Sequence, residues 1–166
     1  MQRIIGIATI GVGLCVGGAA FAQDVPAGVV MFNAANAKWV GTPATPGGGI
    51  GAGAQSASII GDPAKPGPYV YVTKPAPAEL GQGPSSRPHT HPDARTYQVI
   101  SGTWYVGFGT KLDESKLIAL PAGSYYTEPA GVPHFVVVKD PNTVVHISGT
   151  GPTRVVPLVN GEGPGE

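Results

Sequence analysis

Two histidines one residue apart, His89 and His91 in GPSSRPHTHPDARTYQVISG (residues 83–102), are side chains whose types and spacing suggest chemistry. Alternate residues of a strand project to the same side, so both imidazoles face one way and can share a metal ion. Such a pair also arises by chance on a polar strand edge, and a third ligand strengthens the reading. His134 supplies it: in GSYYTEPAGVPHF (residues 123–135), Pro129, Gly131 and Pro133 make a rigid turn that delivers this histidine onto the start of the next strand. Arg95 follows His91 closely and is an odd neighbour, because a guanidinium has only donors and cannot ligate a cation.

The elements that must position these residues are short strands. The 166 residues include 26 Gly and 18 Pro, and no window carries a long 3.6-residue apolar period, so helices should be few. Short β-branched and aromatic runs recur instead, at 57–60, 69–73, 96–101, 103–109, 124–128, 134–139, 143–148 and 154–159, with turn signals between them. This is the spacing of an all-β antiparallel sandwich or barrel in a single domain. KLDESKLIAL (111–120) is the best candidate for a helical turn joining two strands. The glycine-dense segment 42–55 has no strand leading in and no helix following, so it reads as a surface loop rather than a nucleotide cradle.

Ten basic and ten acidic residues leave a formal net charge of zero, which argues against nucleic-acid binding and against an anionic membrane surface as partners. Arg3, an apolar run and small residues at Ala20 and Ala22 read as a signal peptide over residues 1–22. The expected mature protein is periplasmic or secreted, with no membrane segment after cleavage. The only cysteine, Cys15, is removed with that peptide. Thiol catalysis, disulfides and cysteine ligands are thereby excluded, and any metal must use His, Asp, Glu or Tyr. The expected organisation is an N-terminal arm with the Gly-rich loop at 23–56, a barrel at 57–160 and a flexible C-terminal tail at 161–166.

With these residues in place, the chain resembles the cupin superfamily. Gly83, His89, His91 and Gly102 match its first motif, and Gly123, Pro129, Gly131 and His134 match its second. The resemblance implies a cupin-type β-barrel, a double-stranded β-helix or jelly roll. It also implies a cofactor, one divalent transition metal (Fe, Zn, Mn, Ni or Cu), held by His89, His91 and His134. Cupins commonly dimerise through an outer sheet, which leaves room for a homodimer. Two positions depart from the pattern: Arg95 stands where the family places a glutamate ligand, and Val138 where it places an asparagine.

The arginine sharpens the question of charge. A guanidinium about 5 Å from a divalent ion would be repelled by about 6–7 kcal/mol at an effective dielectric of 20. Either no metal binds, or Arg95 turns aside, or an anion lies between them. Glu128, directly before Pro129, is the candidate anion, expected to pair with Arg95 or to replace the missing ligand; otherwise it faces solvent at a strand end. A substrate carboxylate would suit Arg95 as well. Tyr97 shares a face with Arg95 and would line a pocket with Tyr126, unless both simply fill the barrel. His146, in VVHIS, faces either the interior or the outside of its strand. Two function classes stay open: a metal-dependent, dioxygenase-type enzyme acting on a small anionic organic substrate, and a non-catalytic protein that binds a small carboxylate or sugar acid.

Overall fold

The computed structural model describes residues 26–41, 54–76 and 87–158. The signal-peptide reading, the Gly-rich loop, Gly83 and the C-terminal tail lie outside the described residues. Eleven strands are described: β1 (Val40–Gly41), β2 (Gln55–Ile60), β3 (Gly67–Lys74), β4 (His89–Thr90), β5 (Arg95–Ser101), β6 (Thr103–Phe108), β7 (Ile118–Pro121), β8 (Tyr125–Glu128), β9 (His134–Val137), β10 (Val144–Gly151) and β11 (Val156–Pro157). Every pairing between them is antiparallel.

They form two sheets, one in the order β1-β2-β3-β10-β5-β8 and the other in the order β11-β4-β9-β6-β7. The sheets close on a shared core. Tyr69, Tyr97, Val99, Val145 and Ile147 come from the first sheet, and Trp104, Val106 and Val136 from the second. This is the expected all-β jelly roll. Val138, at the second departure from the motif, is buried in the same cluster, so an apolar residue there fills core.

Strict alternation explains the geometry of the site-bearing strand. From Arg95 to Val99 every odd-numbered residue is buried and each even-numbered one is more exposed, the period-two signature of a strand with one covered face. Gly102 then carries the chain from the first sheet into the second. Its φ of +68° is the left-handed region, and a Cβ there would lie 2.7 Å from Cα of the buried Thr143. Only glycine suits this corner.

The structure extends or shortens several expected strands and forms the expected helical turn between two of them. Within 111–120 a single 3-10 turn spans Glu114–Lys116, capped by Asp113 Oδ1 accepting from Ser115 N, and joins β6 to Ile118–Pro121, which pairs with β6. The apolar IALP segment gains more by completing the edge of a sheet than by continuing one weak turn. Of the described residues of the 154–159 run, the two of β11 are strand.

Gly102→Ala adds left-handed backbone strain to a clash with a buried neighbour. It is expected to lower unfolding free energy by about 2–4 kcal/mol in urea denaturation; a loss below about 0.5 kcal/mol would show that the corner relaxes freely.

Candidate metal centre

His89 and His134 are directly opposed partners where β4 pairs with β9, and His91 follows just beyond β4. Their ring centroids lie 4.2 Å apart for His89 and His134, 5.0 Å for His89 and His91, and 5.1 Å for His91 and His134. One nitrogen from each ring lies within 4.8 Å of the other two, and all three residues are buried. Three imidazoles are thus brought to a common point, as the spacing anticipated.

Main-chain carbonyls set which nitrogen faces that point. His89 Nδ1 lies 2.8 Å from Arg87 O, His91 Nδ1 2.9 Å from Arg154 O, and His134 Nδ1 3.1 Å from Val132 O. A carbonyl only accepts, so each Nδ1 carries the proton and donates it. Each Nε2 then holds a free lone pair, the tautomer a metal requires. The supports are tied together: Gly131 N donates to His91 O at 2.8 Å, locking the Pro129–Pro133 turn to the first histidine pair. After β10 the chain returns over the site, with Thr153 and Arg154 flanking it and β11 pairing with β4.

Burial keeps these rings neutral. It lowers the pKa of His91 to about 3, with Arg95 adding to the effect, and that of His134 to about 2, with His89 adding to it. His89 is shifted down by the same cause. Uncharged, converging imidazoles suit a borderline-soft divalent transition ion.

Arg95 is buried and turned aside, and its partner is not the one the sequence suggested. Its Nε and Nη2 donate to Asp93 Oδ1 at 3.4 and 3.3 Å, and Nη2 also reaches the hydroxyl of Thr153. Asp93 accepts in addition from Tyr69 OH at 2.5 Å and from the Thr153 hydroxyl. The expected Arg95–Glu128 pair is corrected accordingly. The two residues are indeed opposite each other across β5 and β8, but the guanidinium bends back to the carboxylate two residues earlier on its own side of the chain. Gly149, between Tyr69 and Arg95 in the sheet, leaves room for this cluster: a Cβ there would lie 2.5 Å from Tyr69 Oη and 2.8 Å from Asp93 Oδ2. Asp93, Tyr69 and Thr153 were missed. The two-residue spacing of Asp93 and Arg95, which puts both on one face, was the signal available for the first of them.

Glu128 neither faces solvent nor joins the three histidines as a ligand. It is 1% exposed, sits behind His134 with Oε1 3.4 Å from Nδ1, and neither of its oxygens has a hydrogen-bond partner. Burial raises its pKa to about 7 against the opposing pull of Arg95.

A cavity of about 600 Å³ opens beside the histidines. Arg95 and Thr153 stand at its polar end, while Tyr71, Tyr97, Trp104, Val136 and Ile147 form apolar walls. Tyr126 stacks parallel on Tyr97 with centroids 4.4 Å apart and accepts from Trp104 Nε1 at 3.1 Å, bracing the wall from behind. His146 is placed elsewhere. It is out of phase with Val145 and Ile147, which are buried inward, and so lies on the opposite face of β10 from the cavity.

No family model matches the chain. Germin-like protein 8-1 of Oryza sativa subsp. japonica is 41% identical over 68 residues, which are 39% of this chain and 30% of that protein. The chain thus matches less than a third of that relative's length. Among solved structures, the polyketide cyclase RemF from Streptomyces resistomycificus superposes with a TM-score of 0.58 at 17% identity, covering 82% of this chain and 89% of the other. The DMSP lyase DddQ from Ruegeria pomeroyi DSS-3 gives 0.53 at 21% identity, covering 78% and 64%. At such identities the likeness is one of fold.

Removing Asp93 isolates a buried guanidinium. Asp93→Ala is expected to cost about 3–5 kcal/mol of stability, whereas Asp93→Leu with Arg95→Met, which removes both charges, should cost clearly less than the single change. Equal losses in denaturant titrations would mean that charge pairing is not what holds this cluster.

Proposed function

We propose that this chain, a cupin in fold and in both motifs, binds one divalent transition metal through His89, His91 and His134 and presents it to a small anionic organic ligand in the adjoining cavity. The observation that carries this reading is the orientation of the three rings, each Nδ1–H engaged by a main-chain carbonyl and each Nε2 left to converge on the others. Such a set fits an ion that keeps coordination positions for substrate.

Charge balance supports an anionic ligand. The three imidazoles are neutral, Arg95 and Asp93 cancel each other, and Glu128 stands behind a ring rather than on the ion. A divalent ion in this buried place would retain uncompensated positive charge, which a carboxylate or enolate oxygen offsets. Arg154, exposed at the cavity wall, adds a second cation along the approach. The apolar walls suit an organic body attached to that anionic head.

Once bound, the ion would supply Lewis acidity, or a site for dioxygen in a dioxygenase-type reaction. The protein's own residues perform the remaining tasks. The β4 and β9 histidines fix the donor directions, and Tyr71, Tyr97 and Trp104 exclude water from the cavity wall. Arg95, held by Asp93 and Thr153, presents a fixed guanidinium beside the histidines. Arg3, the apolar run and the small residues Ala20 and Ala22 support export of the mature chain. Among the described residues no helix is long and apolar enough to cross a membrane.

Elemental analysis of the purified protein should find one transition ion per chain. His89→Ala, His91→Ala and His134→Ala should each lower occupancy at least about tenfold. In calorimetry the metal-loaded protein should bind acetate or benzoate measurably and the corresponding amides far more weakly. Full occupancy in all three variants would refute the site; equal binding of acids and amides would refute the preference for anions.

A further inference from the structure

Glu128 is the one buried group that the metal and the cavity, as described, leave without a task. Both its carboxylate oxygens are sealed from solvent, and among the described residues they are the fully sealed side-chain polar atoms without a hydrogen-bond partner. Leaving such a group unpaired is costly, so its retention calls for a compensating interaction. It does not form part of the cavity wall, so a ligand there would not reach it directly. Its one contact at ion-pair distance among the described residues is Nδ1 of His134, at 3.4 Å, while Arg95 and the Tyr97 hydroxyl also act on its charge.

We infer that Glu128 is the positioning carboxylate of the metal centre, acting on the ion through the imidazole of His134. The placement has a consistent logic. Arg95 occupies the position where a ligating carboxylate would stand, and Glu128 is its direct partner across the β5–β8 pair. The negative charge is therefore moved one strand over, from the ion's side of the histidines to the far side of one ring. A carboxylate against the Nδ1 edge holds the proton on that nitrogen, orients the ring and raises the basicity of Nε2. In return, a cation on Nε2 makes His134 Nδ1–H a stronger donor and offsets the charge of the otherwise unpartnered carboxylate. Val132 O already shares the Nδ1–H, so the ring stays in register without the ion, and Glu128 tunes it.

This rests on the metal-binding reading above, and one set of measurements separates the two. Zn(II) titrations of the apoprotein, visible spectra of the Co(II)-loaded protein and thermal melts of the apoprotein are compared for the wild type, Glu128→Gln and Glu128→Asp. Glu128→Gln should weaken Zn(II) binding by about 10- to 100-fold and shift the Co(II) ligand-field bands, while the apoprotein melts no lower than the wild type because a costly unpaired charge has gone. Glu128→Asp, which keeps the charge but draws it back, should fall between. If the glutamine variant does not fold, Glu128→Met removes the unpaired oxygens altogether and should show the same loss of affinity. Unchanged affinity and unchanged bands in a folded variant overturn the role of Glu128. Failure of the wild type to take up Zn(II) or Co(II) overturns the metal centre itself.

Discussion

Three buried imidazoles, each with its Nδ1–H committed to a main-chain carbonyl, are the constraint on which the rest of this interior depends. The acceptors come from Arg87, two residues before β4, from the turn before β9 and from the segment between β10 and β11, which are far apart in sequence. Holding all three at once requires the Pro129–Pro133 turn to bond back to His91 and the returning chain to lie over β4. The two sheets supply the rigid frame, and the site is assembled from the ends of their strands. Burial then keeps the rings neutral, so the geometry and the protonation state favour the same use of the three nitrogens.

Around that constraint the polar interior is arranged as a row across one sheet. Tyr69, Gly149, Arg95 and Glu128 are successive partners on β3, β10, β5 and β8. The row carries a cation flanked by two carboxylates, Asp93 bonded to it and Glu128 opposite it. The guanidinium pairs with Asp93 because Tyr69 and Thr153 complete that carboxylate's hydrogen bonds, and a fully satisfied buried cluster is worth more than a half-satisfied one. Glu128 is thereby left to His134. The next row, Tyr71, Ile147, Tyr97 and Tyr126, is apolar and aromatic, and Tyr71, Ile147 and Tyr97 from it wall the cavity beside the histidines.

Much of this was legible in the chain. The strand runs and the convergence of His89, His91 and His134 follow from local periodicity and from fixed spacings. The partner of Arg95 did not, although Asp93 stands two residues away. Its selection depends on Tyr69 and Thr153, contacts 24 and 60 residues distant in the chain. Glu128 was expected to pair with Arg95 or to replace the missing ligand; register does put the two opposite each other across β5 and β8, but it fixes only which backbones face each other, and the side chains went separate ways. Strand β4 is too short to give a period, and Ile118–Pro121 was obscured by the capped turn before it. For His146, a two-residue alternation separates two faces without saying which is inside, and its neighbours Val145 and Ile147 took the core.

The central claim is that the ion is held by three imidazole nitrogens and no protein carboxylate. X-ray absorption spectroscopy of the Zn(II)-loaded protein reads this directly. It should show three histidine nitrogens at about 2.0–2.1 Å, with the remaining coordination from exchangeable oxygen donors that a small carboxylate displaces. A spectrum with fewer than three imidazoles, or with a non-exchangeable carboxylate oxygen that disappears in Glu128→Gln, would contradict the account.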